Sequence, residues 1–248
     1  MSAVGQSEVE VVWMQSIDEA LASTRRGWMR WSAGFVLGSC ALSQTRQKKQ
    51  KEEDEEVSPA EDLMREHGVL KRALLIYREV IRRIDAKQDF PPDAVADTAR
   101  LIRNFVENYH EKLEEDYLFP RFRKANQQTD LVNILYTQHQ KGRTLTDRTL
   151  QLATAAAMKD ASQRQHLKDA LYLFVRMYEP HEAREDTVLF PAFRKIVSKH
   201  EYDSLGEEFE RKENQLFGGD GFEKNVAAVA ALEKRLGIYD LGQFTPNV

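Results

Sequence analysis

The sequence predicts an all-α protein, an antiparallel up-down-up-down four-helix bundle with additional C-terminal helices. Three observations predict it. Gly and Pro are sparse, at 12 and 7 of 248 residues, while Ala, Leu, Glu, Arg, Lys and Gln, which lose little side-chain freedom in a helix, are plentiful. Four long segments carry apolar residues at helical spacing, and their connections are short enough to force antiparallel neighbours. Two segments are near copies: HEKLEEDYLFPRFRK at 110–124 and HEAREDTVLFPAFRK at 181–195 align without a gap, agree at nine of fifteen positions and lie 71 residues apart.

In chain order, residues 1–23 read as weakly ordered, and TRRGWMR then leads into the apolar run WSAGFVLGSCAL. That run is about 12 residues, short of the ~20 a helix needs to span a bilayer, and it matches the apolar core of an export signal. With Arg25 and Arg26 in front, the leader (1–45) resembles a twin-arginine signal, although Trp28 and Met29 stand where Phe and Leu are commoner. It ends in Leu37-Gly38-Ser39-Cys40, which resembles a lipobox whose cysteine becomes lipidated. The expectation is an exported protein associated with the cell envelope, touching the membrane only through a lipid anchor at Cys40; if the leader is not a signal, the protein is cytoplasmic. Residues 46–57 are mostly charged and read as a solvated tether.

The bundle is expected over 58–200. Ser58-Pro59 followed by Glu61 is a helix-start signal. The first helix runs from there to a stop near Lys87, with Leu63, Val69 or Leu70, Leu74, Tyr77 and Ile81 at helical spacing. The second runs from about Asp93 towards Arg123 and breaks at Ala125-Asn126-Gln127. The third is predicted over Thr129–Met158, with Gly142 tolerated inside it, and the fourth from Ser162 to about Lys199. In the C-terminal part, 201–248, shorter helices are expected over Tyr202–Asn214 and Phe222–Leu236, separated by Gly218-Gly219-Asp220-Gly221, and the end reads as an irregular strap packed on the bundle. The Leu-Phe-Pro of each copy is expected to kink its helix.

Composition narrows the function. A net charge of -4 gives no reason to expect nucleic acid as a partner. One cysteine excludes a disulfide framework and a Cys-based zinc site, which leaves the six histidines as the candidates for chemistry.

Four of those histidines are spaced regularly. His67 and His110 are 43 residues apart, and His139 and His181 are 42 apart, as a duplicated helix hairpin requires. At 1.5 Å per residue all four reach roughly one level of the bundle. Glu114 and Glu185 each follow a histidine by four, so each second helix of a hairpin presents an imidazole and a carboxylate on one face. Four histidines and two acids meeting at one level is the composition of a di-iron carboxylate site. The predicted metal ligands are His67, His110, Glu114, His139, His181 and Glu185, with each acid bridging two irons; manganese and zinc are the alternatives. Glu115 and Asp186 are expected to orient ligand histidines, or Asp186 to replace Glu185 if the fourth helix bulges near Pro180. His166 and His200 are too far along the helix to join. Phe105, Phe119, Phe174, Phe190 and Phe193 are expected in the core, where they would keep the site dry.

His67, His110-xxx-Glu114, His139 and His181-xxx-Glu185, with the duplicated Leu-Phe-Pro segments, resemble the hemerythrin-like family of HHE cation-binding domains over about residues 58–200. The resemblance implies a four-helix bundle around a non-haem di-iron centre and O2 as a ligand; other members are linked to iron sensing, iron-sulfur repair, or peroxide and nitric-oxide chemistry. One departure stands out. Hemerythrins proper carry a fifth histidine one turn after the third, and here that position is Arg143. Water, Glu111 or Glu182 would take its place. The function expected is a di-iron protein that binds O2 or another small ligand for sensing, storage or delivery. The alternatives are an oxidoreductase acting on peroxide or nitric oxide with electrons from a partner donor, and an iron-handling protein.

Overall fold

The computed structural model describes residues 57–248, all of them helical or irregular, with no strand. The leader, Cys40 and most of the charged tether lie outside the described residues. Four long helices form the bundle: α1 (Pro59–Asp85), α2 (residues 92–125), α3 (Thr129–Leu152) and α4 (residues 161–196). Consecutive helices pack side by side, and α4 closes back on α1.

Local chemistry sets most boundaries. Ser58 caps α1 by accepting from the Glu61 amide, Pro59 fills the first helical position, and Arg82 and Arg83 sit in the last turn, where the helix dipole favours cations. Helix α2 stops at Asn126, which takes the left-handed conformation (φ 50°) that asparagine tolerates. Asp160 caps α4 by accepting from the Ser162 and Gln163 amides.

Two expected helix ends are corrected. The third helix ends at Leu152, not Met158. Leu152 and Ala153 are the last buried residues there, and residues 154–156 face solvent, so continuing the helix would bury nothing. Thr154 instead accepts from the Ala157 amide and starts a short 3₁₀ turn over Ala157–Lys159. The fourth helix ends at Ile196, not Lys199, because Ser198 caps a new helix by accepting from the Glu201 amide.

The Leu-Phe-Pro segments change the helices in a specific way. Each is preceded by a π turn, over Glu114–Leu118 in α2 and Glu185–Leu189 in α4. The Phe119 amide reaches back five residues to the Glu114 carbonyl, and the Phe190 amide to that of Glu185. Pro120 and Pro191 have no N–H to give to the carbonyl four residues back and crowd it sterically; a turn widened by one residue absorbs both problems. A longer π stretch covers Ile102–His110, while Pro180 lies in ordinary α-helix with no bulge. The helices are thus re-phased at the two carboxylates predicted to bridge metal.

The core is aromatic. Phe105, Phe119, Phe122, Phe174, Phe190 and Phe193 are all essentially fully buried. Two further helices, α5 (Lys199–Phe217) and α6 (Gly221–Arg235), cover the outside of α1 and α2. Phe209 of α5 packs edge-on against Tyr117, and the Tyr202 hydroxyl meets the Ala60 amide at the start of α1. Arg72 of α1 grips Glu233 of α6 through two nitrogens. Residues 237–248 follow as irregular chain with one 3₁₀ turn at Leu241–Phe244. No helix among the described residues is long and apolar enough to cross a membrane.

Candidate metal centre

All six predicted residues meet inside the bundle. His67, His110, Glu114, His139, His181 and Glu185 are each no more than 3% exposed. The rings of His67 and His110 lie 4.7 Å apart, and those of His139 and His181 5.0 Å apart. The carboxylates stand between these pairs. Glu185 Oε2 is 3.3 Å from His67 Nε2, while its Oε1 is 3.1 Å from His181 Nε2 and 4.0 Å from His139 Nε2. Glu114 Oε2 is 3.4 Å from His139 Nε2 and 3.8 Å from His110 Nε2. Two groups of metal-ligating atoms result, His67–His110–Glu114–Glu185 and His139–His181–Glu185, with Glu185 in both.

The outward ring nitrogens are as ordered as the inward ones. Nδ1 of His67 faces Asp186 at 2.7 Å, that of His110 faces Glu66 at 2.7 Å, that of His139 faces Glu115 at 3.1 Å, and that of His181 faces the Gln138 carbonyl oxygen at 2.8 Å. The ionised carboxylates of Asp186 and Glu115 and the amide oxygen of Gln138 accept from the Nδ1 they face, the carboxyl of Glu66 pairs with Nδ1 of His110, and each Nε2 is turned inward. This places Glu115 and Asp186 as orienting residues. The bulge of α4 falls at Glu185–Leu189 rather than at Pro180, and Asp186 faces the outward nitrogen of His67 while Glu185 faces the inward one.

Glu66 and Gln138 escaped the sequence reading, although the duplication carried a signal for them. Each directly precedes the first histidine of its hairpin and supports the second. Glu115 and Asp186 follow the second histidines by five and support the first histidine of the other hairpin. The phenylalanines obey the same two-fold rule: Phe119 stacks on His139 and Phe190 on His67, each with ring centroids 5.5 Å apart. His166 and His200 are exposed and take no part.

Several buried polar atoms have no partner within the protein. Both oxygens of Glu114, both oxygens of Glu185 and Nε2 of His139 are buried without a hydrogen bond. Buried groups in that condition cost stability unless something else coordinates them, and here they all face one space. The donor set of imidazole nitrogens and carboxylate oxygens therefore fits a metal centre.

The electrostatics describe how the metal-free site shares protons. Burial and the neighbouring Glu185 push Glu114 well above the usual carboxylate range. Burial also opposes charge on Glu185, but His181 and His67 outweigh it and hold that carboxyl well below the range. Burial disfavours a charged His67, yet Asp186 and Glu185 prevail and raise it to about 9. Burial lowers His139 to about 4, and burial together with His67 lowers His110 well below its ordinary value.

The position one turn beyond His139 holds Arg143. Its guanidinium lies 2.8 Å from Glu111 Oε2 and 2.8 Å from Glu115 Oε1. Glu111 also accepts from the Tyr178 hydroxyl at 2.6 Å. Glu182 is buried as well, but its charged neighbours are Lys71, His67, Asp186 and Glu185, so of the two expected carboxylate substitutes for a fifth histidine only Glu111 stands beside Arg143.

The model of the hemerythrin HHE cation-binding domain matches this chain twice, over residues 58–160 and 130–236. The chain belongs to the hemerythrin HHE family. The two matches begin 72 residues apart, the spacing from His67 to His139, so they follow the duplication seen in the site. Uncharacterized proteins of Mycobacterium bovis and Mycobacterium tuberculosis are 52% identical over 196 residues, covering 79% of this chain and 77% of theirs. No solved structure matches the chain. Membership in the HHE family implies cation binding, and the buried histidine-glutamate groups fit it.

Proposed function

We propose that the site binds two iron ions, and that the loaded protein binds O2 or another small ligand such as peroxide or nitric oxide. The observation that carries this reading is the placement of Glu185, with one oxygen towards His67 and the other towards His139 and His181. One carboxylate serving two histidine pairs fits two ions sharing a ligand. Imidazole with carboxylate suits iron, with manganese next and zinc less specifically. His67 and His110 would hold one ion, His139 and His181 the other, and Glu114 and Glu185 would bridge them. Bound iron would supply the redox change and the coordination positions for a small ligand.

The rest is the work of the protein. Asp186, Glu66, Glu115 and Gln138 fix the imidazole orientations and turn each Nε2 towards the site. Phe119 and Phe190 cover the histidines and exclude water, which slows uncontrolled oxidation. Arg143 supplies a cation where hemerythrins proper have a fifth imidazole. That charge, paired with Glu111 and near the Tyr178 hydroxyl, favours a second reading, turnover of peroxide or nitric oxide with an external electron donor.

Anaerobic loading with Fe(II), followed by optical spectra on adding O2, peroxide or nitric oxide, separates the readings. A visible band that forms with O2 and is lost when O2 is removed supports binding. Repeated consumption of peroxide or nitric oxide with an added reductant supports the enzyme. A protein that takes up iron, gives neither result and yields the iron to a chelator is an iron-handling protein.

A further inference from the structure

Gly142 lies in the middle of α3, where glycine is a poor helix former. A Cβ at this position would lie 2.0 Å from the Tyr178 hydroxyl oxygen and 2.8 Å from the ring carbon that bears it. The glycine is therefore what lets the Tyr178 hydroxyl pass over the α3 backbone and donate to Glu111 Oε1 at 2.6 Å. On the other side, Arg143 stands 2.8 Å from Glu111 Oε2, and its second nitrogen meets Glu115. Three elements thus converge on one carboxylate: α2 supplies Glu111, α3 the gap and the guanidinium, and α4 the tyrosine. Glu111 is 1% exposed and belongs to a group of metal-ligating atoms with Glu115 and His139. It differs from Glu114 and Glu185 in its neighbours: its Oε1 accepts from a tyrosine and its Oε2, though without an aligned hydrogen bond, lies against a guanidinium, while the oxygens of Glu114 and Glu185 have no hydrogen-bond partner and face imidazole nitrogens.

Resting on the dinuclear reading above, we propose that Arg143 and Tyr178 hold Glu111 back from the ion on the His139–His181 side, keeping a position there open to a small external ligand. Arg143 and Tyr178 are positioning residues in this proposal. The hold on Oε1 is a short hydrogen bond. The hold on Oε2 is an ion pair whose contact is not aligned as a hydrogen bond, so Oε2 is the oxygen freed when Arg143 is lost. Without the guanidinium, Glu111 is a buried carboxylate one residue from His110, with a cation as its best available partner. It would then close the open position.

The test uses Co(II) as a spectroscopic substitute and azide as the ligand probe, on the full chain. Wild type is measured first: uptake of two Co(II) per chain supports the dinuclear reading, and failure to bind Co(II) or Fe(II) overturns that reading and this proposal with it. Given uptake, Arg143→Ala is expected to retain both ions, to show weaker visible Co(II) absorption as one ion gains a ligand, and to bind azide at least ~10-fold more weakly. Arg143→Ala combined with Glu111→Gln is expected to recover the wild-type spectrum and azide affinity. Arg143→Gln, which keeps a polar side chain, serves the same comparison if the alanine variant does not fold. Tyr178→Phe and Gly142→Ala, each of which removes the Tyr178 hydroxyl from Glu111, are expected to shift the spectrum in the same direction by a smaller amount. A wild-type spectrum and azide affinity in the Arg143 variants overturn the proposal. An Arg143 defect that Glu111→Gln does not reverse also overturns it, because a merely structural loss would not depend on Glu111.

Discussion

The two histidine pairs have nearly the same geometry and different charge. In the first hairpin, His67 is backed by the carboxylate of Asp186 and His110 by the carboxyl of Glu66, which burial raises to about 8 and which takes its charge when a bound cation draws the proton off. In the second, His181 is backed by the neutral amide of Gln138, and His139 by Glu115, whose charge is shared with the half-buried Arg143. Asp186 has a cation too, but Lys71 is 51% exposed and so is screened by water. Duplication kept the positions of the backing groups and let their charge diverge. A carboxylate behind an imidazole raises its basicity more than an amide does, so the first pair should hold its ion more tightly than the second.

The way to break the comparison is to remove what the pairs share. Glu185 touches three of the four histidines and Glu114 touches two. Glu185→Ala should therefore lower the affinity for both ions by ~10–100-fold, and Glu114→Ala by somewhat less. His110→Ala should mainly weaken one ion, and His200→Ala, at an exposed position, should keep about two. Metal content after Fe(II) loading and desalting reads all four. Retention of two tightly bound irons by both glutamate variants would show that the acids do not bridge.

A change of pH should separate the pairs. In the metal-free protein His67 stays protonated up to about 9, while His139, at about 4, is neutral throughout the physiological range. An ion entering the first pair must displace the His67 proton at any pH below about 9, and an ion entering the second pair displaces none from His139. One displaced proton makes affinity rise about tenfold per pH unit. Glu114, which burial and Glu185 push well above the usual carboxylate range, adds a proton that both ions share wherever it is neutral. Affinity should thus increase from pH 6 to 9 at both positions, more steeply at the first, with protons released on loading. Calorimetry of Co(II) binding in buffers of different ionisation enthalpy counts those protons, and equal pH slopes for the two ions would refute the assignment.

Much of this centre was legible in the sequence because helical spacing and duplication are both periodic. His67, His110, His139 and His181 repeat at 42–43 residues, and HxxxE fixes the face of the acids. What was missed depends on rotation about the helix axis and on contacts across the bundle. Glu66 and Gln138 look like ordinary helix residues, and only the crossing of α1 with α2 and of α3 with α4 turns them towards His110 and His181. Leu-Phe-Pro announced a disturbed helix, but not that a π turn would begin at each glutamate. The early end of α3 was hidden for a different reason. Residues 153–158 are mostly alanine and read as helix, yet residues 154–156 have nothing to pack against. In the sequence Gly142 reads as a tolerated weak spot, and only the fold lays Tyr178 across it.

The smallest expected effect is the most direct on the comparison itself. Gln138→Glu gives the second pair the carboxylate that the first pair has behind His110, and Glu66→Gln gives the first pair an amide. Each exchange keeps the oxygen that faces the imidazole and changes the charge that can stand behind it once metal is bound. If charge sets the difference between the pairs, Gln138→Glu should tighten the weaker ion and Glu66→Gln should loosen the tighter one, each by up to ~10-fold, so that the two affinities converge. The two substitutions differ in cost to folding. Gln138 is partly exposed, so a glutamate there keeps access to water, whereas Glu66 is 2% exposed and burial has raised it to about 8. Glu66→Gln removes a group that resists ionisation in the metal-free protein, and the apoprotein should unfold at an equal or slightly higher temperature while binding metal less tightly. A loss of apoprotein stability together with unchanged metal affinity would mean that Glu66 holds the helices together and does not tune His110, and the charge difference between the hairpins would then have no bearing on the metals.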